Sequence, residues 1–138
     1  MVGSDAEKAL LETRTVAVVG LSSDPNKPSN EVAIYLKLSG YRVIPVNPNA
    51  ERILGERAYA SVSEIPEPVD LVDVFLPAEK TPQVARDAVR AGAKTLWLQR
   101  GIRSPEARRI AEEEGLAYVE NRCAMRTLQA MPVAWDKG

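Results

Sequence analysis

A loop after the first apolar run of the sequence carries residue types that bind phosphate. The run Val16–Val19 ends at a glycine, and hydroxyl and ammonium side chains follow before a helical pattern begins. The residues in question are Gly20, Ser22, Ser23, Lys27 and Ser29. Backbone amides near a helix start and a lysine ammonium group attract an anion, so the loop is a candidate diphosphate site. On the loop alone, helix capping by Ser29 and a solvated Lys27 explain these residues equally well.

The loop differs from the two common phosphate-binding motifs. A dinucleotide fingerprint starting at Gly20 would place its second and third glycines where Ser22 and Pro25 stand. Pro25 has no backbone N–H and cannot lie inside a helix, so a longer loop must replace the tight strand-to-helix turn. A P-loop is also excluded, because no Gly-Lys-Ser/Thr sequence follows.

The end of the second predicted strand argues against ordinary NAD binding. NAD enzymes usually place Asp or Glu there to bind the ribose hydroxyls. Here Asn47, Pro48 and Asn49 occupy this position, and they would tolerate a sugar that carries an additional phosphate. Arg52 and Arg57 follow and could add positive charge, although solvation at the surface is the commoner role for each arginine taken singly.

Composition excludes several chemistries. The 138 residues include no histidine and one cysteine, Cys123. There is therefore no imidazole base, ligand or phosphoryl carrier, and a zinc site of the usual ligands is nearly excluded. An internal disulfide is impossible, which fits a reducing cytoplasm. Asp70 and Asp73 flank or lie within a predicted strand, so we interpret them as structural.

Charge and hydropathy indicate a cytoplasmic protein that binds neither nucleic acid nor membrane. The net charge is −1, without the basic field that those partners usually need. No apolar run approaches the roughly 18 residues of a membrane span, and the N-terminus lacks the pattern of a signal peptide. The length fits one domain, residues 1–138.

Short apolar runs alternate with helical patterns along the chain. Predicted strands are Val16–Val19, Arg42–Val46, Leu71–Phe75, Thr95–Leu98 and Ala117–Val119. This alternation predicts an α/β fold, a Rossmann-like doubly wound parallel sheet of five strands in the order 3-2-1-4-5 with helices on both faces. Ligands of such sheets bind beyond the carboxyl ends of the strands, beside the first strand.

Five helices are predicted between and around these strands. They lie near Asp5–Arg14, over Ser29–Leu38, from Thr81 to Gly92, from Ser104 to Gly115 and near Arg122–Ala130. Thr81-Pro82 and Ser104-Pro105 each predict an N-cap followed by proline at the first helical position. Asn121 is the predicted cap of the last helix, which would put Cys123 in its first turn.

Five segments of the sequence form a recognisable series: VAVVGLSSDPNKPS, GYRVIPVNP, ILGERAYASVSEIPEPVDLVDVFLP, AGAKTLWLQRGI and YVENRC. Together they resemble the small stand-alone CoA-binding proteins, which are similar to the N-terminal CoA-binding domain of the succinyl-CoA synthetase alpha subunit. Each motif alone is weak, but their order and spacing are specific. The resemblance covers residues 15–123.

The resemblance implies a set of residues that would bind CoA. The diphosphate would contact Gly20, Leu21, Ser22 and Ser23, with Lys27, Pro28 and Ser29 closing that side, and the adenosine and its 3′-phosphate would lie by Asn47, Pro48 and Asn49. Leu76 and Pro77 would flank the nucleotide or the start of the pantetheine arm, and Gln99 and Gly101 would line the inner end of the groove. Coenzyme A is therefore the expected ligand.

Three further residues have competing interpretations. Trp97 is expected in the core rather than as a stacking surface. The amide of Gln99 could bind the pantetheine amides, or it could serve only loop backbone groups. Cys123 is a candidate reactive thiol that would form a mixed disulfide with CoA under oxidising conditions, although a small buried apolar role is the commoner one.

The leading hypothesis is non-catalytic binding of coenzyme A or acyl-CoA, as a carrier, sensor or regulatory partner of an acyl-CoA enzyme. The synthetase transfers phosphate through a histidine on a second domain, and this sequence has neither, so we expect the binding without the ligase reaction. One alternative is an NAD(P)-binding redox sensor or enzyme. Another is an enzyme subunit that is active only in a complex with an unidentified protein partner.

Overall fold

Parallel strands form the centre of the structure. A computed structural model describes residues 5–131. The strands are β1 (Thr15–Val19), β2 (Arg42–Val46), β3 (Arg52–Ile53), β4 (Glu56–Arg57), β5 (Leu71–Val74), β6 (Thr95–Leu98) and β7 (Ala117–Val119). The helices are α1 (Asp5–Glu12), α2 (Pro28–Leu38), α3 (Thr81–Arg90), α4 (Pro105–Glu113) and α5 (Ala124–Gln129).

The main sheet has the order β2-β1-β5-β6-β7, with all neighbours parallel. This confirms the predicted α/β class and the five-stranded parallel sheet. Helices α1, α2 and α5 pack on one face of the sheet, and α3 and α4 pack on the other. Apolar side chains cover both faces, as expected of strands that read as nearly continuous Val and Leu runs.

The predicted strand order 3-2-1-4-5 is wrong. Counted along the chain, the five long strands are arranged 2-1-3-4-5, so β2 is an outer strand. Pro45 gives the physical reason, because its carbonyl accepts a hydrogen bond from Tyr59 N–H on the side of β2 away from β1. A strand residue directs its N–H and C=O to the same side, so proline at this position could not complete a ladder with another inner strand.

The crossover connection between the parallel strands β2 and β5 contains no α-helix. It forms the β3–β4 hairpin and one 3₁₀ turn, Val62–Glu64, and buries Val62 and Val69 on the α3–α4 face. The strand that follows lies on the opposite side of β1 from β2. Crossover connections between parallel strands are almost always right-handed. A connection that runs back across the sheet, opposite to the one before it, must therefore pass over the opposite face.

The predicted helix starts have mixed outcomes. Ser104 caps α4, since its hydroxyl accepts a hydrogen bond from Ala107 N–H. Thr81 is not a cap: it is the first residue of α3, and its hydroxyl donates backwards to Ala78 O. Asn121 does not cap α5 either, because Cys123 holds the N-cap position. Trp97 is fully buried, as predicted, and its indole N–H donates to Arg122 O.

Gly20 lies at the point where β1 ends between β2 and β5. Its N–H donates to Val46 O at 3.0 Å, and its φ is +83°. A Cβ at this position would lie 2.9 Å from the carbonyl oxygen of Phe75. Both the backbone angle and the close approach of the next strand therefore require glycine.

A β-carbon at position 20 should destabilise the fold more than one at another left-handed glycine. Gly115 has a φ of +80° but no atom within 4 Å of its Cβ direction, so Gly115→Ala should lower the free energy of unfolding by about 1–2 kcal/mol. Gly20→Ala adds the backbone clash and should cost roughly 3 kcal/mol or more. Urea denaturation measures both, and equal losses would contradict the steric argument.

Asp73 is a carboxyl group inside the sheet. It is fully buried in β5, between Val18 of β1 and Trp97 of β6. Its Oδ1 accepts a hydrogen bond from Gln99 Nε2 at 2.5 Å, whereas its Oδ2 has no partner among residues 5–131. Burial raises the pKa of Asp73 to about 7, and the hydrogen bond from Gln99 opposes that shift.

This raised pKa predicts a pH-dependent stability. Between about pH 4 and pH 7 the folded chain binds more protons at Asp73 than the unfolded chain, so the free energy of unfolding falls as pH rises through this window. Asp73→Asn removes the titrating group. Its free energy of unfolding relative to wild type should therefore rise by an amount on the order of a few kcal/mol from pH 4.5 to pH 8. Denaturation at both pH values measures the difference, and a difference independent of pH would contradict the prediction.

Candidate ligand-binding site

Depressions at the carboxyl ends of the strands are lined by predicted site residues. Cavity A has a volume of about 390 Å³, and its walls include Gly20, Asn47, Pro48, Asn49, Leu76 and Lys80. Groove C, about 430 Å³, continues from Asn47 and Pro48 to the β3–β4 hairpin. Cavity B, about 460 Å³, lies towards β6, and its walls include Pro28, Phe75, Gln99, Arg100, Cys123 and Arg126. The predicted site residues therefore surround one edge of the sheet.

The loop after β1 is held in shape by its own polar groups. Ser22 N–H donates to Ser29 Oγ at 3.0 Å, and Asn30 Nδ2 donates to Ser22 O at 2.8 Å. The hydroxyl of Ser22 accepts from Asp24 N–H. Ser22 and Ser29 therefore position the loop, with both hydroxyl oxygens accepting backbone hydrogen bonds within it. Helix α2 begins at Pro28, and Ser29 is not its cap.

Other donors of the same loop remain available to an anion. The backbone N–H groups of Leu21 and Ser23 donate no hydrogen bond within the described part of the chain, and neither does the ammonium group of Lys27. Ser23, Lys27 and Pro28 are exposed. The side chain of Leu21 is fully buried in the core, so only its backbone could reach a ligand. The donors of the loop that could bind a phosphate thus include Lys27, the hydroxyls of Ser22 and Ser23 and the backbone amides of Leu21 and Ser23.

Asn47 ties the second strand to this loop. Its Nδ2 donates to Leu21 O at 3.0 Å, and its Oδ1 accepts from Asn49 N–H at 2.8 Å. The side chain therefore fixes the wall of cavity A, and it keeps one N–H donor and one acceptor lone pair beyond these two bonds. Pro48 and Asn49 are exposed on the same wall. Where an NAD enzyme presents a carboxylate, this cavity presents a neutral turn.

Two arginines face each other across the hairpin in groove C. Arg52 and Arg57 form a register pair of β3 and β4, which brings their side chains together on one face. Arg52 donates to Gly55 O at 3.1 Å, and the Arg57 guanidinium lies 5.4 Å from the centre of the Tyr59 ring. Neither forms an ion pair within residues 5–131, although Glu51 lines the same groove. Like charges at paired positions repel each other, and an anion bound between them would relieve that repulsion.

The remaining predicted residues divide between the cavities and the surface. Leu76 lines cavity A, whereas Pro77 is exposed at the start of a 3₁₀ turn, Ala78–Lys80. Gln99 is 4% exposed and lines cavity B. Gly101 is exposed, and its N–H donates to Asn121 Oδ1 at 2.7 Å, so that donor is already used.

Cys123 is half-buried in the wall of cavity B, two residues before Met125. It precedes the first turn of α5 rather than lying within it. The basic residues around it, Arg100 and Arg126, are exposed, and sequence reasoning did not identify them. A signal was present for Arg100, which follows the carboxyl end of β6, whereas Arg126 lies within α5.

Two findings concern other classes of site. No helix within residues 5–131 is long and apolar enough to cross a membrane. In the same part of the chain, no group of three or more His, Cys, Asp or Glu side chains is arranged to hold a metal ion.

Comparisons with known proteins identify relatives of this chain. The uncharacterized protein YneT of Bacillus subtilis is 34% identical over 120 residues, covering 87% of this chain and 89% of YneT. A solved structure of a hypothetical protein from Pyrococcus horikoshii matches with a TM-score of 0.88 at 38% identity, covering 91% of this chain and 88% of that one. Acetate–CoA ligase (ADP-forming) II of Archaeoglobus fulgidus is 34% identical over 107 residues, which are 76% of this chain but 16% of the ligase.

The family comparison matches nearly the whole described chain. The family model described as CoA binding domain matches residues 14–129. The resemblance found in the sequence motifs is therefore confirmed, and the chain belongs to the CoA binding domain family.

Proposed function

We propose that this protein binds coenzyme A or an acyl-CoA and does not itself catalyse acyl transfer. The single observation that carries the proposal is the Arg52–Arg57 pair beside the neutral Asn47-Pro48 turn. A ribose with an additional phosphate needs positive charge and no neighbouring carboxylate at the end of β2. Groove C supplies the two arginines, and groove C and cavity A share the neutral Asn47-Pro48 turn. The acidic side chains on these walls are Glu51 in groove C and Asp87 of α3 in cavity A.

The other parts of CoA find suitable chemistry along the same edge. In our proposal the adenosine occupies cavity A, and the diphosphate accepts hydrogen bonds from the free amides of Leu21 and Ser23 with Lys27 nearby. The pantetheine arm then passes Phe75 and Leu76, which are half-buried apolar residues. Its sulfur end lies in cavity B, beside Gln99.

The absence of catalytic machinery is part of the proposal. The sequence has no histidine, and Asp73, the fully buried carboxyl group, lies inside the sheet rather than in a cavity wall. The related acetate–CoA ligase is much longer than the region it shares with this chain. The proposed role is therefore that of a carrier or sensor, or of a binding subunit whose partner supplies the reactive groups.

The charge pair predicts a ligand-specific effect of removing Arg57. Arg57→Gln should weaken the binding of CoA about five- to tenfold, because one charge-assisted hydrogen bond at a partly exposed site is lost. The binding of 3′-dephospho-CoA should change less than twofold, since the phosphate in question is absent. Isothermal titration calorimetry with both ligands measures the four affinities.

Arg90→Gln is the matched control, because Arg90 is an exposed arginine at the last residue of α3. It should leave both affinities unchanged. Equal weakening of CoA and 3′-dephospho-CoA by Arg57→Gln would contradict the placement of the phosphate. Binding of NADP but not of CoA would overturn the proposed function in favour of the redox alternative.

The position of Cys123 predicts a second property of the bound state. If the sulfur of CoA enters cavity B, diamide should oxidise the two thiols to a mixed disulfide, removing two electrons and two protons and being itself reduced to the hydrazine. Intact mass spectrometry should show an adduct of CoA mass on the wild type and none on Cys123→Ser. An equal adduct on both proteins, or on neither, would contradict this geometry.

A further inference from the structure

Gln99 is the polar side chain that links the interior of the sheet to cavity B. It is 4% exposed and follows β6, and it is part of the wall of that cavity. Its Nε2 donates to the buried Oδ1 of Asp73 at 2.5 Å. Its Oε1 has no hydrogen-bond partner within the described residues. One end of the amide is thus bound to the sheet, and the other is left for a ligand.

The protonation state of Asp73 sets which ends of the Gln99 amide it is able to bind. An ionised carboxylate accepts hydrogen bonds but cannot donate them, so it can pair only with the NH₂ group of Gln99. This leaves the carbonyl oxygen, an acceptor, towards the cavity. A protonated Asp73 can donate to Gln99 Oε1 instead, and a rotation of the amide would then present its NH₂ group, a donor.

We infer that Asp73 is a positioning residue which, through Gln99, selects between the free thiol and the thioester form of the bound ligand. The inference rests on the proposed binding of CoA with its sulfur end in cavity B. An acceptor in the cavity wall favours the S–H group and disfavours a thioester carbonyl, which is also an acceptor. A donor in the same place reverses that preference.

The conversion should take place near neutral pH. Burial raises the pKa of Asp73 to about 7. Its neighbours in the sheet, Val18 and Trp97, do not titrate in this range. The charged or titratable groups on the cavity walls are Glu31 from α2, Arg100 from the loop after β6, and Cys123 and Arg126 beside and within α5. Glu31, Arg100 and Arg126 are exposed to solvent, where water and salt screen them.

The test compares CoA with acetyl-CoA by calorimetry at pH 6 and pH 8. Both ligands carry the same phosphates, so the titration of those groups cancels in the ratio of the two dissociation constants. For the wild type, the preference for CoA over acetyl-CoA should increase roughly three- to tenfold from pH 6 to pH 8, the range expected for one hydrogen bond. In Asp73→Asn this ratio should change by less than twofold between pH 6 and pH 8, because an amide at position 73 does not titrate.

Glu31→Gln is the control, since it makes the same carboxyl-to-amide change on another wall of cavity B. The pH dependence should persist in this variant. A wild-type ratio that does not change with pH would overturn the inference, and so would a pH dependence abolished by Glu31→Gln and kept by Asp73→Asn. Because the wild-type ratio needs no variant, the test holds even if Asp73→Asn fails to fold. If neither CoA nor acetyl-CoA binds, the proposed function is overturned, and this inference with it.

Discussion

The convergence of three strand ends at Gly20 is the constraint on which the binding edge depends. The N–H of Gly20 is bound to β2 through Val46, while the carbonyl of Phe75 after β5 approaches so closely that no side chain fits. From this point α2 covers one face of the sheet, and the segment after β2 covers the other. Parallel sheets open a crevice where neighbouring connections diverge to opposite faces, and cavity A lies there.

Much of this fold could be predicted from local pattern. Val16–Val19 and Thr95–Leu98 are buried throughout, so their apolar runs were sufficient to identify them as inner strands. The order of the strands was predictable only in part. Pro45 indicates an outer strand, but the general pattern of doubly wound sheets predicts an inner position for β2.

The helix starts show that a local sequence pattern is not sufficient to predict which residue caps a helix. Thr81-Pro82 and Ser104-Pro105 both place a hydroxyl side chain before a proline, yet of the two only Ser104 caps a helix. The 3₁₀ turn Ala78–Lys80 already supplies the carbonyl that Thr81 binds, so its hydroxyl points backwards. Asn121 adopts a φ of 55° and binds Gly101 instead of α5. Each outcome depends on a neighbouring segment, which the dipeptide alone does not encode.

The position of the candidate site was predictable from the sequence, but the structural role of each of its residues was not. Sequence reasoning identified a serine-rich loop, but it could not assign Ser22 and Ser29 to the loop's internal bonds and Ser23 to its exposed surface. The Arg52–Arg57 pairing also required the structure. The hairpin turns at Leu54-Gly55, where both residues have positive φ, and leucine rarely signals such a turn.

Asp73 is the residue at which local rules and the fold disagree most strongly. A strand position with Val18 and Trp97 on either side would be more stable with an apolar side chain, since burial of a carboxyl group lacking a cation is unfavourable. Gln99 offsets part of that cost with one hydrogen bond, but Oδ2 keeps no partner among residues 5–131. A purely structural role explains neither the choice of an ionisable group nor its connection to a cavity wall. The proposed control of the Gln99 amide accounts for both, because only a group that gains and loses a proton can switch which end of that amide faces the ligand.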